Sequence, residues 1–339
     1  MAYKKIKIAN LLSEFAASEN ASDNVAQNAN LRAFKVLMNA LGVSMSEAQR
    51  LIDKGRLFCN GEVVSAKNEI LRGEIELISY ENAPRGQKPI FDNQNFAVFD
   101  KQSGILSHPN GRNCAYSLCD EIWHLYGAQA GVAHRLDRET SGLILVAKDK
   151  KTQTIFKTLF EKRLVKKEYL ALVSGQTPLE FSVDLPMNSA CDEVKTRMRL
   201  CPLSEGGKEA RTEFKRLCYF SEQDLLNLSH KIQLGKGFDF SKGVSLLLAR
   251  PLTGRQHQIR LHLFASGFAI LGEPLYGLER ADIERILDKQ MSAFERVSLT
   301  GATRLCLHSN RLAFEFGGKS YDILSQRDIR AEFLRALSL

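Results

Sequence analysis

From residue 90 onward the chain is a succession of short strand-like apolar runs, "NFAVFDK", "GLILVAK", "KEYLALVSG", "ARTEFKRLCYF" and "VSLLLARPL". Helical segments fall between some of them but do not alternate with them. Strict alternation builds a parallel sheet with crossover helices, whereas consecutive strands pair back on themselves. The pattern therefore predicts an α+β fold: a mixed, mainly antiparallel sheet with flanking helices. Among the helices, "TQTIFKTLFEKR" is expected to place Ile155, Phe156, Leu159 and Phe160 on one face. No internal repeat or low-complexity tract interrupts this scheme.

At 339 residues the chain is long enough for two domains, since one domain takes roughly 150 residues. Residues 1–29 are expected to be a polar lead-in, 30–82 a small module, 83–89 a linker within "NAPRGQKP", and 90–339 the main domain. In the module, Leu31, Phe34, Leu37 and Met38 recur at helical spacing up to Gly42. Ser44 and Glu47 form an S-x-x-E capping box for a second helix that ends at Gly55. "RLFCNGEVV" reads as a hairpin, because Asn-Gly favours the positive φ angles of a type I′ turn. A further strand, "EIELIS", follows the turn at Arg72-Gly73. The exposed helix and turn carry Arg32, Lys35, Arg50, Lys54 and Arg56.

The net charge is +8, and Lys148 to Glu168 alone holds eight Lys/Arg against three Asp/Glu. A field of this sign attracts polyanions such as RNA or DNA; a solvated helix face would account for it equally well. Seven cysteines, odd in number and never spaced C-x-x-C, suit free thiols in a reducing cytoplasm. No apolar run approaches the ~20 residues of a membrane span. "MAYKKIKIANLLSEF" has neither the apolar core nor the cleavage site of a signal peptide.

Several common chemistries lack their signatures. There is no G-x-x-x-x-G-K-[ST] loop and no G-x-S-x-G elbow. His257 and His262 stand five residues apart, about 140° on a helix, which makes a poor metal pair. The unusual stretch is "HRLDRETSGLILVAK", from His134 to Lys148. It crowds two arginines, two acids and a histidine just ahead of an apolar strand. Asp137 there is either a turn-capping side chain or a carboxylate held beside an anionic partner. "LTGRQHQIRLHLF" repeats the oddity, placing Arg255 and Arg260 in an otherwise apolar context.

"HRLDRETSGLILVAK" resembles the central motif of the RluA-type pseudouridine synthases. The likeness extends in order to "PIFDNQNFAVFDKQSGILSHP", "LVKKEYLALVSG", "GKEARTEF" and "LTGRQHQIRLHLFASGFAILGEPLYG", covering residues 90 to about 317. Two positions depart from the family pattern: Gln102 replaces a proline and Glu273 an aspartate. "SEAQRLIDKGRLFCNGEVV", within residues 30 to about 80, resembles a small RNA-binding module first known from a small-subunit ribosomal protein.

The resemblance implies isomerisation of uridine to pseudouridine in RNA, with no cofactor and no metal. It casts Asp137 as the nucleophile, Arg260 as the cation paired with it, and Tyr169 as the residue stacked on the target base. Arg135 would fill the space left by the flipped nucleotide, with His134 shaping the same surface. Large-subunit ribosomal RNA is the expected substrate and transfer RNA the alternative, met by a cytoplasmic monomer. Two rivals stay open. A glycosylase would need a second, opposed carboxylate, for which Glu139 is the nearest candidate. A non-catalytic RNA-binding or ribosome-assembly protein would need no carboxylate chemistry at all.

Overall fold

The computed structural model describes residues 3–8, 32–80, 82–109, 114–190, 197–229 and 237–338. The chain divides into two units, Met1–Arg85 with Pro109–Tyr116 and Gly86–His108 with Ser117–Leu339. The break at Arg85/Gly86 falls inside the Pro/Gly segment.

The small unit begins with strand β1 (Tyr3–Lys7), followed after the undescribed residues 9–31 by helix α1 (Ala33–Leu41). This helix stops at Gly42, whose φ of 62° lets its N–H turn back to the Met38 carbonyl. Ser44 then caps α2 (Met45–Asp53) in a reciprocal box, its own N–H donating to Glu47 Oε2 at 3.1 Å. Strands β2 (Leu57–Cys59) and β3 (Glu62–Val63) are joined by Asn60 and Gly61 at φ 52° and 84°. Both central residues are left-handed, as a type I′ turn requires. Strand β4 (Ile75–Tyr80) completes an antiparallel sheet of order β1-β4-β2-β3.

Part of the expected polar lead-in, Tyr3–Lys7, is thus an edge strand of this sheet. Apolar and charged residues alternate there. Ile8 is buried and Ile6 partly so, while Lys5 and Lys7 pair with Glu76 and Glu74. Leu37, Ile52, Leu57, Leu71 and Leu77 fill the core. On α1, Ala33, Val36, Leu37 and Ala40 are buried, whereas Phe34 and Met38 lie at the edge of the stripe. Leu31 lies outside the described residues.

The large unit is built on one mixed sheet, with ten strands among the described residues. In chain order its elements are β5 (Phe91–Asp92), β6 (Phe96–Lys101), α3 (Leu118–Tyr126), β7 (Gly131–Val132), β8 (Ser141–Ala147), α4 (Lys150–Glu161) and β9 (Lys166–Ser174). There follow β10 (Glu180–Asp184), a separate ribbon of β11 (Met187–Ser189) and β12 (Met198–Leu200), β13 (Arg211–Phe220), α5 (Glu222–Ser229) and β14 (Val244–Pro251). The chain closes with α6 (Gln258–Ala265), α7 (Arg280–Leu287), α8 (Ala293–Thr300), β15 (Leu307–Phe316), β16 (Lys319–Leu324) and α9 (Ile329–Ala336).

The strand order is β10-β13-β14-β9-β15-β8-β6-β5, with β16 on β15 and β7 on β8. Its pairings are antiparallel except β15 with β8, joined in parallel through His308–Ser141 and Ser309–Gly142. A Cβ on Gly142, at φ 110°, would stand 2.3 Å from the Ser309 carbonyl oxygen, so no side chain fits this junction. Strands β6 and β8 are buried on both faces, which is why Phe96 to Phe99 and Leu143 to Ala147 read as unbroken apolar runs. Phe96, Val98, Leu143 and Leu145 face one core with Phe156 of α4; Ala97, Phe99, Ile144 and Val146 face another with Leu118 and Ile122 of α3. The buried stripe of α4 is Thr152 and Phe156, with Leu159 and Phe160 partly covered. Ile155 falls off that stripe and is exposed, unlike its expected neighbours, because it precedes Phe156 by a 100° step.

Candidate active site

The crowded stretch His134–Thr140 is the loop that leads into β8, and hydrogen bonds from several elements hold its backbone. Ser107 Oγ donates to the Leu136 carbonyl at 2.8 Å and accepts from the Leu136 N–H at 3.1 Å. Ser103 Oγ donates to the Glu139 carbonyl at 2.6 Å. The Arg138 carbonyl accepts from Gly104 N–H at 2.9 Å and from Lys101 Nζ at 3.1 Å. Lys101, the fully buried last residue of β6, also donates to the carbonyls of Ile105 and Gln102 at 2.8 and 3.1 Å. Burial pushes its pKa down to about 7; three carbonyl acceptors match the three donors of an ammonium. The loop is thereby fixed at its backbone, and the Asp137 side chain is turned into a cleft of about 1110 Å³.

Arg260, in the first turn of α6, is only 3% exposed. Its Nη1 donates to Asp137 Oδ2 at 2.9 Å. Its other edge grips Glu273 as a fork, Nε to Oε2 at 2.8 Å and Nη2 to Oε1 at 2.5 Å. Glu273, one of the two departures from the family pattern, therefore reaches Asp137 through Arg260. Burial works against charge on both groups. His257, Arg260 and Lys101 outweigh it at Asp137 and hold the carboxyl below its ordinary pKa. Glu273 and Asp137 outweigh it at Arg260 and keep the guanidinium protonated. Because burial pushes the His257 imidazole down to about 4, Arg260 is the full cation beside Asp137 near neutrality.

Tyr169, on β9, lines the same cleft, and desolvation pushes its phenol up to about 12, with the Asp137 charge adding to the shift. Arg135 is exposed at the cleft rim. His134 accepts the Leu145 N–H on Nε2 at 3.1 Å and packs on Phe160 at 4.9 Å between ring centres. Burial depresses it to about 3, so it is a neutral ring anchoring the loop to β8. The structure thus brings Asp137, Arg260, Tyr169, His134 and Arg135 into one cleft, lined by nine Lys/Arg and four acids.

Glu139 does not oppose Asp137. It is ion-paired with Arg296, Nη1 to Oε1 at 3.1 Å, and accepts the Leu305 N–H at 3.3 Å. The second carboxylate that glycoside hydrolysis needs is therefore not supplied by this residue. His262 is taken up by Thr212 Oγ1 at 3.0 Å and the Leu185 carbonyl at 3.1 Å. His257, weighed from sequence solely as half of a metal pair, instead lies with Nε2 3.6 Å from Asp137 Oδ2. Its three-residue spacing from Arg260 is the signal that could have found it.

In the small unit, Arg32, Lys35, Arg50 and Lys54 are exposed and have no carboxylate partner among the described residues. Arg50 and Lys54 are one helical turn apart, and Arg56 is half-buried. No described helix is long and apolar enough to cross a membrane.

A family model described as RNA pseudouridylate synthase matches residues 95–265, and one described as the S4 domain matches residues 31–75. The chain is 34% identical over 311 residues to a Helicobacter pylori protein named as an uncharacterized RNA pseudouridine synthase, covering 91% of this chain and 94% of that one. It is 31% identical over 238 residues to the mitochondrial tRNA pseudouridine(32) synthase of Saccharomyces cerevisiae, covering 67% and 46% of the two chains. It is 31% identical over 200 residues to ribosomal large subunit pseudouridine synthase D of Nitrosomonas europaea, covering 58% and 51%. The solved structure of human RNA pseudouridylate synthase domain containing 1 aligns with a TM-score of 0.51 at 21% identity, covering 71% and 83%, and shares the fold. The chain therefore belongs to the RNA pseudouridine synthases, a family of isomerases, and carries an S4 domain ahead of the catalytic core.

Proposed function

We propose that this enzyme isomerises uridines of large-subunit ribosomal RNA in the cytoplasm, with Asp137 as its nucleophile. The observation that carries the reading is the Asp137–Arg260 contact of 2.9 Å, in a cleft where cations outnumber acids. An ionised carboxylate at the edge of a core is costly unless a fixed cation faces it, and here one does.

In this reading the RNA backbone is held by the cationic cleft, and the target uridine leaves its stack at a cost of a few kcal/mol. Arg135 at the rim takes the vacated space, its planar guanidinium suited to stacking. The base enters against the Tyr169 ring, and Asp137 forms and later releases a covalent bond with the substrate while Arg260 steadies its charge. His134 keeps the loop in place. Arg32, Lys35, Arg50, Lys54 and Arg56 supply sequence-independent phosphate contacts from the S4 domain. The cytoplasmic assignment is supported by six described cysteines, all of them free thiols.

The ribosomal substrate is supported by the Nitrosomonas relative, and transfer RNA by the yeast one. The test uses cellular RNA tritiated at uridine carbon 5, from cells lacking the gene. Wild-type protein is expected to release tritium to water from the large ribosomal RNA fraction, and Asp137→Ala none, with RNA binding kept. Release from the transfer RNA fraction instead would overturn the substrate, and free uracil would overturn the reaction.

A further inference from the structure

Two groups reach the Asp137 carboxylate in the cleft, and both reach the same oxygen. Arg260 Nη1 lies 2.9 Å and His257 Nε2 3.6 Å from Oδ2. Oδ1 has no hydrogen-bond partner among the described residues. His257 sits ahead of α6 at φ 54°, in the left-handed region that non-glycine residues enter uncommonly and histidine more readily than most.

The contact on the far side of the ring bears on where its proton sits. His257 Nδ1 lies 3.1 Å from the Tyr276 hydroxyl. That hydroxyl accepts the Met198 N–H, at 3.3 Å, and its own proton needs an acceptor in this buried setting. The neutral imidazole is the acceptor within reach. With Nδ1 accepting, the ring proton is on Nε2, the nitrogen 3.6 Å from Asp137 Oδ2. Burial keeps the ring neutral near pH 7, pushing its pKa to about 4, and raises the Tyr276 phenol to about 12. The other ionisable groups facing His257 are Asp137, Arg260 and Glu273.

We propose that His257, with its tautomer locked by Tyr276, is a positioning residue that holds Asp137 Oδ2 together with Arg260, leaving Oδ1 as the attacking atom. The proposal rests on the reading of Asp137 as the nucleophile. Attack spends a lone pair of Oδ1 on a new bond. That bond goes either to ribose C1′ as the C1′–N1 bond breaks and its pair leaves with the uracil, or to uracil C6 as the C5–C6 π pair moves onto the O4 enolate. Once the C1′–C5 bond has formed, the bond to Oδ1 breaks with its pair returning to Oδ1, and the C5 proton passes to water. The carboxylate charge is regained at release, and an N–H directed at Oδ2 favours that step. A tyrosine behind a histidine thus governs which carboxylate oxygen is free.

The test joins spectroscopy to kinetics on the full chain. In protein labelled with 15N-histidine, His257, assigned by its loss in His257→Gln, is expected to show a bare Nδ1 and a protonated Nε2. Tyr276→Phe should introduce the opposite tautomer. In single-turnover tritium release, His257→Gln is expected to slow the reaction about 10- to 100-fold and Tyr276→Phe about 3- to 10-fold, with the RNA Kd unchanged within about twofold. A protonated Nδ1 in the wild type overturns the proposal. So do unchanged rates, or rates that fall in step with weaker RNA binding. Tyr276→Phe preserves volume and serves if His257→Gln does not fold. If wild-type protein releases no tritium, the proposed function falls, while the nitrogen spectrum still decides where the proton sits.

Discussion

The two units handle positive charge in opposite ways. Arg32, Lys35, Arg50 and Lys54 of the S4 domain stand in solvent without carboxylate partners among the described residues, on a fold whose described core is apolar. Arg260 stands almost dry, with each of its three nitrogens donating to Glu273 or Asp137. Exposed cations act at a distance, are screened by salt and can be exchanged one for another. A buried one is bound by geometry, and its loss strands the carboxylates it faced. The first arrangement suits holding a polyanion of any sequence. The second suits keeping one carboxylate charged in one orientation.

The largest effect that would break this contrast is Arg260→Met. It leaves Glu273 and Asp137 buried without their cation, so unfolding free energy should fall by about 3–5 kcal/mol. Tritium release should drop with it by about a hundred- to a thousandfold, because loss of a transition-state charge partner costs about 2.7–4 kcal/mol. A variant of wild-type stability in urea would show that the fork is not holding the site.

The next effect is in pH. His308 is fully buried, with Nδ1 2.9 Å from Ser141 Oγ, and burial depresses it from 6.5 to about 3. Between those values the unfolded chain binds a proton that the folded one refuses. Stability must therefore fall as pH drops through this window, by up to ~1.4 kcal/mol per pH unit for this one group. His134 and His257 shift the same way. The small unit holds no histidine. Urea midpoints of the large unit, followed through Trp123, should thus decline from pH 7 to pH 5, and His308→Asn should flatten the decline. A flat wild-type profile would contradict the buried, neutral histidines.

The smallest effect sharpens the other half of the comparison. Arg50→Gln with Lys54→Gln should change stability by less than about 0.5 kcal/mol. The pair should lower the slope of log K against log salt by roughly 1.4 to 1.8 if both contact phosphate. An unchanged slope would remove this helix face from the RNA surface.

Much of the fold was legible because it depends on local chemistry. The Ser44 box, the Asn60-Gly61 turn and the doubly buried β6 and β8 follow from side-chain identity and spacing alone. Tyr3–Lys7 was not legible as a strand, because a short edge strand with alternating lysines owes its conformation to a partner some seventy residues away. The helix face of α4 was misplaced by one residue at Ile155, since periodicity gives a direction but not the depth of the facing core.

At the site, the sequence by itself determined the candidates: an aspartate flanked by arginines before an apolar run, a strand tyrosine and an arginine in an apolar helix. Only the tertiary structure decided how they act. Glu139 and Asp137 are two residues apart in one loop, and pairing with Arg296 or with Arg260 sends them to different tasks. His257 and Glu273 matter because α6 and the loop after it converge on Asp137 across 123 residues of chain from Arg260. Charge in a dry site is decided by which groups meet over such separations, and that is set by packing rather than by neighbours in sequence.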